Sequence, residues 1–583
     1  MNGRTSDEPA YDLVIRNGVI IDGTGEPQFC ADLAVHAGHI AAVGSVTGRG
    51  REEIDASGLI VTPGFVDIHT HYDGQATWDP VLAPSSQHGV TSIAMGNCGV
   101  GFAPARPDRH AWLIELLEGV EDIPGTALAE GLTWDWETFP EYLDVLERRS
   151  FTMDVGVHIP HAPLRAYVMG DRGADPEARP TEAEAAQMAA LVAEGLLAGA
   201  VGFSTSRTMV HQTRAGKVIG TFRAAEDELV AIARAMKRVG RGVTQLISDA
   251  YLLADHEFLE AELQLIKSLA RISGRPVSIT VQQVSTMPDR WREMYSAIAA
   301  MREDGLDVRA QVAARAVGAI LGLRTSANPF AFTRSWPALS ALPFPELLAA
   351  FRDAGTRTRL LGEIDEPVDH PLAKSIVGAF DRMFRMRDPV DYEPRPQDSI
   401  LAEAEAAGIR PAEYVYDTLL EENGERLLYM PSLNYAAGNL DDVHEMMSAD
   451  FALFGLSDGG AHCGAICDAS FPTTALSLWP RGNRSGRSIP LEQLVHGYTA
   501  RNARQVGWLD RGVIAPGMLA DINVIDLASL ELAVPRPVHD LPAGGMRLLQ
   551  EARGYRYTIK RGVTTFRDGQ ATGVQPGRLI RCN

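Results

Sequence analysis

The sequence predicts an α/β fold, a (β/α)8 TIM-like barrel, joined to a small β-sandwich domain built from both chain ends. Three observations lead to this prediction: eight apolar, strand-like runs, helical patterns between several of them, and short alternating strands at both ends of the chain. Strand–helix alternation indicates a parallel sheet, and eight such strands suggest closure into a barrel. The eight runs are residues 64–71, 90–95, 153–159, 200–204, 242–247, 276–281, 308–312 and 451–456.

The segments between the strand-like runs are predicted to form helices and, in one place, an insertion. Residues 226–239 carry Leu229, Ile232 and Met236 at helical spacing, which predicts one apolar helix face. The gap between the seventh and eighth runs is far too long for one crossover. We therefore predict a barrel domain over residues 63–503 with an inserted, lid-like subdomain at about 316–449.

The two chain ends share one pattern. Short alternating strands fill residues 11–62, with the hairpin signal Asn17-Gly18 between the first two, and alternation returns after Ala503. We expect residues 1–62 together with 504–583 to form a single β-sandwich domain split by the barrel.

Composition narrows the classes of function. A net charge of −21 disfavours nucleic acid and anionic membranes as partners. The five cysteines have no repeated spacing, which argues against a disulfide framework. No run reaches the roughly 20 apolar residues of a membrane span, and no signal-peptide pattern opens the chain. We expect a cytoplasmic protein that binds a small-molecule substrate and is able to form a homo-oligomer.

The first predicted strand ends in two histidines that indicate a metal site. His69 and His71 are one residue apart, so their side chains share a face of the strand, near its carboxyl end. Cys98 follows the second strand, and zinc accepts sulfur as well as imidazole nitrogen. Asp458 follows the eighth strand, where a carboxylate can bind the metal and act as the base for water.

Longer motifs occur along nearly the whole chain outside the insertion. They are residues 61–71, 71–75, 89–92, 96–99, 161–165, 199–205, 457–459, 571–573 and 576–578. Together they resemble the amidohydrolase superfamily, and within it the D-aminoacylase branch, the N-acyl-D-amino-acid deacylases. The resemblance implies a zinc enzyme with a barrel and a small β-sandwich that hydrolyses an amide bond. It also implies that Cys98 takes the bridging role of the carboxylated lysine in dihydroorotase-like relatives.

The chain departs from that branch on the fifth and sixth strands, where histidine ligands are expected. Gln245 stands at the end of the fifth strand, and Gln282 and Gln283 at the end of the sixth. Because an amide oxygen is a poor zinc ligand, a second metal is in question. Either one zinc is held by His69, His71, Cys98 and Asp458 in some combination, or other residues replace the missing ligands. The replacement candidates are His161, His211, Asp249, His256 and His462.

Arginines are the candidates for binding a substrate carboxylate, because the guanidinium pairs with it in a bidentate fashion. Arg165, Arg207 and Arg315 follow strand ends. The first hypothesis is a zinc-dependent hydrolase that cleaves the C–N amide bond of an N-acyl-D-amino acid. Two alternatives remain: a single-metal hydrolase of a cyclic amide, carbamate or ester, and a degenerate member that serves as a binding or scaffold protein.

Overall fold

The centre of the molecule is an eight-stranded parallel barrel, as the sequence predicts. The computed structural model describes residues 9–368 and 376–582. The eight strands are hydrogen-bonded in chain order, and a parallel bridge between Thr70 and Gly459 joins the first strand's end to the last. The strands are Phe65–Asp67, Val90–Met95, Asp154–Pro160, Gly202–Arg207, Val243–Ser248, Val277–Thr280, Val308–Val312 and Ala452–Phe454.

Helices surround the barrel and include those that the sequence predicts. In Glu226–Val239 the residues Leu229, Ile232 and Met236 are buried, and Gly240 ends the helix in the left-handed conformation. The other helices around the barrel are His110–Glu121, Gly125–Gly131, Phe139–Glu147, His161–Met169, Glu182–Ala198, His256–Ser273, Arg290–Glu303, Asp441–Ser448, Phe471–Leu478, Leu491–His496 and Asn502–Gln505.

Strands from both chain ends form one nine-stranded sheet. Ile60–Pro63 pairs antiparallel with Ile522–Ile525, which joins the N-terminal to the C-terminal strands. The first eight residues of the predicted terminal domain lie outside the described residues, as does residue 583. The other strands of this sheet are Tyr11–Ile20, Phe29–His36, His39–Gly44, Gly50–Asp55, Tyr555–Lys560, Val563–Arg567 and Gln570–Ala571.

A buried charge network ties the terminal sheet to the barrel. Asp154, at the start of the third strand, lies 2.8 Å from Lys560 Nζ, 2.7 Å from Arg511 and 3.0 Å from Arg561. Lys560 also lies 2.7 Å from Asp521. The Asp154 carboxylate thus links the amino-terminal end of a barrel strand to the terminal sheet.

The insertion has its own apolar core, which includes Phe330, Phe351 and Tyr416. The predicted boundary at residue 449 is too late, because Asp441–Ser448 contacts the seventh and eighth strands and is their crossover helix. Residues 369–375 of the predicted insertion lie outside the described residues. The insertion contains the strands Val317–Leu321, Phe384–Arg385 and Leu428–Leu433 and the helices Trp336–Ser340, Phe344–Arg352, Ala354–Glu363, Ile400–Ala407 and Pro411–Leu419.

Candidate metal centre and active site

His69 presents one defined nitrogen to the mouth of the barrel. Its Nδ1 lies 2.6 Å from Gln311 Oε1, and the Gln311 amide nitrogen donates in turn to Ser278 Oγ at 3.0 Å. Because a glutamine oxygen only accepts, Nδ1 carries the proton and Nε2 keeps its lone pair. His69 is therefore oriented as a metal ligand.

Cys98 lies in a tight loop after the second strand. Its φ of 54° is in the left-handed region, which a cysteine adopts only where surrounding contacts impose it. Two such contacts hold the loop: the Cys98 N–H donates to Gln245 Oε1 at 2.8 Å, and the Gly99 N–H donates to Ser204 Oγ at 3.0 Å. The Cys98 sulfur consequently lies 3.2 Å from His69 Nε2.

Asp458 completes the cluster from the eighth strand's end. Its Oδ1 lies 3.4 Å from His69 Nε2 and 3.5 Å from His71 Nε2. The preceding residue, Ser457, donates a hydrogen bond to Asp67 of the first strand and fixes the loop. Asp458 keeps 23% of its side chain exposed, so a substrate is able to reach it.

Three of these side chains form a group that could hold one divalent metal, and Asp458 lies beside it. The donor atoms of His69, His71 and Cys98 all lie within 4.8 Å of one another, and all three residues are buried. Ligands about 2.0–2.3 Å from a tetrahedral zinc stand roughly 3.3–3.8 Å apart. The His69–Cys98, His69–Asp458 and His71–Asp458 separations, 3.2, 3.4 and 3.5 Å, are close to this range. Two imidazoles, one thiolate and one carboxylate are a donor set that zinc accepts.

Burial sets the protonation of the cluster. It lowers the pKa of His71 to about 4, so the imidazole is neutral at pH 7. Burial raises the pKa of the Cys98 thiol well above its usual range, and the Glu121 and Asp458 charges add to this. Burial acts to raise the pKa of the Asp458 carboxyl, but the His71 hydrogen bond and the charges of the neighbouring histidines outweigh it and hold this pKa below its ordinary value.

Two residues that sequence reasoning missed adjoin the cluster. Glu121, the last residue of His110–Glu121, has its Oε1 3.2 Å from His71 Nδ1. His158 is buried within the third strand, and burial followed by the His69 charge lowers its pKa to about 3. His158 lies at one of the alternate positions of its strand that face the barrel interior, and this spacing could have identified it as a candidate. Glu121 had no such signal, because it ends a helix with several acidic residues.

Two of the predicted candidates, His462 and His211, lie near the candidate metal ligands, and a third, Gln282, is buried. His462 Nε2 is 3.8 Å from Glu121 Oε2. His211 bonds Ser206 Oγ through Nδ1 at 2.8 Å, and burial followed by the His71 and His462 charges lowers its pKa to about 3. Gln282 is 8% exposed, and its amide oxygen has no partner among the described residues.

Other predicted replacement ligands are engaged elsewhere. His161 uses both ring nitrogens, on Thr205 Oγ1 and Glu228 Oε1, each at 2.8 Å. Gln245 uses its oxygen on the Cys98 loop. The Gln283 side chain hydrogen-bonds to Asp442 and to the Ala436 N–H. Asp249 accepts hydrogen bonds from the Thr208 hydroxyl and the Met209 N–H. His256 is exposed at the start of its helix.

The three predicted carboxylate-binding arginines are each paired with an acidic residue of the chain itself. Arg207 contacts Glu262 at 2.6 Å, with Nε as well as Nη2 donating. Arg315 is buried against Asp468 at 2.8 Å, and Tyr392 covers its guanidinium at 3.7 Å. Arg165 pairs with buried Glu228. The structure therefore engages all three in internal ion pairs.

A parallel barrel that gathers histidine, cysteine and aspartate at the carboxyl ends of its strands is typical of metal-dependent enzymes. The chain belongs to the amidohydrolase family, whose model matches residues 52–566. It is an enzyme acting on C–N amide bonds, of the D-aminoacylase type.

Known proteins similar to this chain carry related activities. An N-acyl-D-glutamate deacylase of Alcaligenes xylosoxydans xylosoxydans is 27% identical over 581 residues, covering 98% of this chain and 96% of the relative. The structure of the N-acyl-D-glutamate deacylase of Bordetella bronchiseptica, complexed with zinc and a phosphonate inhibitor, is 23% identical with a TM-score of 0.64. A D-aminoacylase, described with a binuclear metal centre, one-metal activation and second-metal attenuation, is 22% identical with a TM-score of 0.64. Both structures are matched over their full length and cover 98% of this chain.

No helix among the described residues is long and apolar enough to cross a membrane.

Proposed function

We propose that this enzyme is a hydrolase with a single catalytic zinc, held by His69, His71, Cys98 and Asp458 in a combination that leaves one position open to water. The observation that carries the proposal is the convergence of the His69, His71 and Cys98 donor atoms within 4.8 Å, with Asp458 Oδ1 3.4 Å from His69 Nε2. A second zinc would lack a ligand on the fifth strand, because Gln245 already uses its oxygen on the Cys98 N–H. One-metal activation, described for the D-aminoacylase of known structure, supports a catalyst of this kind.

Asp458 is the proposed general base. A bound zinc would polarise the scissile carbonyl and make water acidic enough to lose a proton near neutral pH. Asp458 Oδ2 takes that proton and delivers it to the nitrogen of the leaving amine, which departs neutral. The pKa of Asp458, held below its ordinary value, keeps the carboxylate ionised and ready to accept the proton.

N-acyl-D-amino acids are the first substrate class that we propose. The support comes from the N-acyl-D-glutamate deacylases, one of which is similar along 98% of this chain. Such a substrate has a free carboxylate beside the scissile amide, which calls for a cation or several hydrogen-bond donors in the site.

A second substrate class, of uncharged amides, is favoured by one specific observation. Arg165, Arg207 and Arg315 are all engaged with Glu228, Glu262 and Asp468. A neutral substrate, such as a cyclic amide or a carbamate, needs no cation, and the amide groups of Gln245 and Gln282 suit it as hydrogen-bonding partners.

Asp458→Asn tests the catalytic role. We expect kcat to fall by about 10²–10⁴-fold, because asparagine cannot accept a proton. The zinc content should stay close to that of the wild type, since the amide oxygen remains next to the other ligands. Asp526→Asn, on the terminal sheet beside Arg556, is the control and should leave kcat unchanged. Hydrolysis at the wild-type rate in Asp458→Asn would remove the residue from the mechanism.

A substrate panel tests the two classes. N-acyl-D-glutamate, N-acyl-D-aspartate and uncharged N-acyl-D-amino acids are compared with cyclic amides and carbamates by kcat/KM. A preference for the free acids over their own primary amides supports the first class. The reverse preference supports the second.

A further inference from the structure

Glu121 is an acidic side chain in an unusual place, at the end of a helix and yet 2% exposed. Leu113, Leu117 and Val120 lie on the buried face of helix His110–Glu121, and Glu121 is buried together with them. Burying a carboxylate is costly unless it has a partner. The partner therefore explains why the chain keeps an acidic residue here.

That partner is His71. Glu121 Oε1 lies 3.2 Å from His71 Nδ1, a close contact that is not aligned as a hydrogen bond, and neither atom has a hydrogen-bond partner among the described residues. The opposite nitrogen, His71 Nε2, lies 3.5 Å from Asp458 Oδ1. The ring thus stands between an acceptor at one nitrogen and the metal-binding cluster at the other.

We propose that Glu121 is a positioning residue for the metal centre: it accepts the His71 Nδ1 proton and keeps His71 Nε2 unprotonated and aimed at the metal. This inference rests on the proposed zinc site. Gln311 does the same for His69, with its oxygen 2.6 Å from Nδ1. Glu121 differs from Gln311 in being ionisable. Burial raises the pKa of its carboxyl well above the usual range, and the Asp458 and Asp73 charges add to this, so a cation bound at His71 would be what favours the ionised form. In that form it makes the imidazole a stronger donor to the cation.

The backbone around Glu121 fixes its position. Asp122 adopts a left-handed φ of 48°, which ends the helix immediately after Glu121. The His462 N–H donates to the Glu121 carbonyl, and Ser326 Oγ donates to Asp122 Oδ2 at 2.6 Å. The second carboxylate oxygen of Glu121 faces His462 Nε2 at 3.8 Å. Glu121 is therefore held independently of any metal, as positioning requires.

The test measures zinc affinity, by competition with a chelator, in Glu121→Ala and Glu121→Gln. Loss of a partner to a metal-ligating histidine typically weakens metal binding by about 10–100-fold, which is the change expected for alanine. Glutamine retains an accepting oxygen and should recover part of that loss. Cobalt-substituted protein provides a second readout, since the visible absorption of the bound ion should change in Glu121→Ala.

Glu228→Gln is the matched control. Glu228 pairs with His161 Nε2 at 2.8 Å, so it is also a buried glutamate on a histidine, but it lies outside the metal centre. This variant should lower the unfolding midpoint of the metal-free protein and leave zinc affinity unchanged. Wild-type zinc affinity in Glu121→Ala would overturn the positioning role alone. Failure of the wild-type protein to bind zinc would instead overturn the proposed function.

Discussion

Cys98 is the residue whose chemistry changes most when a metal binds. Burial raises its pKa well above the usual range, so the free thiol is protonated at neutral pH, whereas a zinc ligand must be the thiolate. Zinc binding therefore releases the Cys98 proton. His71, with a pKa lowered to about 4 by burial, is already neutral and releases none near pH 7.

The logarithm of the zinc association constant should accordingly rise by about one for each pH unit between roughly pH 6 and 8. In Cys98→Ser the slope should fall by about one and the affinity should drop, because a hydroxyl is not deprotonated in its place. Exposed Cys30→Ser is the control and should keep the wild-type slope. A wild-type affinity that is flat with pH would exclude thiolate ligation.

Asp154 makes a second prediction at the residue scale. Burial acts to raise its pKa, but the charges of Lys560 and Arg511 outweigh it and hold the pKa below the ordinary value. Its stabilising contribution is therefore complete above about pH 4, the usual pKa of aspartate, and is lost as pH falls toward the lower folded-state pKa.

Asp154→Asn should lower the free energy of unfolding by about 3–5 kcal/mol at pH 7, since it leaves buried cations uncompensated. Denaturant unfolding from pH 7 to 3 should show the difference from wild type shrinking below about pH 4. A difference that stays constant over this range would mean that the carboxylate charge is not what stabilises the fold.

At the scale of elements, helix His110–Glu121 and the segment 211–218 pack against each other above the metal ligands. Arg214 contacts Glu118 at 2.7 Å, and a Cβ placed on Gly119 would lie 2.3 Å from the Arg214 backbone nitrogen. Gly119→Ala would gain up to about 1 kcal/mol from helix propensity. The steric clash outweighs this gain, because overpacking costs about 1–3 kcal/mol and here the obstructing atoms are backbone.

We therefore expect Gly119→Ala to destabilise the protein and to expose residues 211–218 to limited proteolysis. Gly362→Ala is the matched control, because it is also a helical glycine but has open space around its Cβ position. That variant should be neutral or stabilised by up to about 1 kcal/mol. Equal behaviour of the two variants in unfolding and proteolysis would contradict the packing account.

The elements that could be predicted from the sequence are those whose signal is local. Eight apolar runs and the helix Glu226–Val239 follow from period-two and helical patterns, and the structure contains all of them. The residue at which the insertion ends could not be predicted from such patterns. Asp441–Ser448 is amphipathic whether it belongs to the insertion or packs on the barrel, and only its contacts with the seventh and eighth strands decide.

The same limit applies to the site. His69, His71, Cys98 and Asp458 follow strand ends, so the barrel topology alone predicts that they meet. Glu121 reaches them from a helix within a long excursion between the second and third strands, and no period marks it. The roles of Arg207 and Arg315 likewise depend on Glu262 and Asp468, distant in sequence, which occupy their guanidinium groups.

At the scale of the whole molecule, the proposed single metal would join groups from both ends of the barrel sheet. His69 and His71 follow the first strand and Asp458 follows the eighth, so this metal would span the place where the sheet closes. A ligand that binds only the folded state stabilises it in proportion to the logarithm of its free concentration. Zinc should therefore raise the unfolding midpoint of wild-type protein, and less so that of Cys98→Ser.

The most direct test of the single-zinc centre is the metal-to-protein ratio together with X-ray absorption at the zinc edge. A single-zinc centre predicts about one zinc per chain, with one sulfur ligand and the rest nitrogen or oxygen. It also predicts that Cys98→Ser removes the sulfur contribution. Two zinc ions per chain, less than about half an equivalent, or a first shell without sulfur would contradict it.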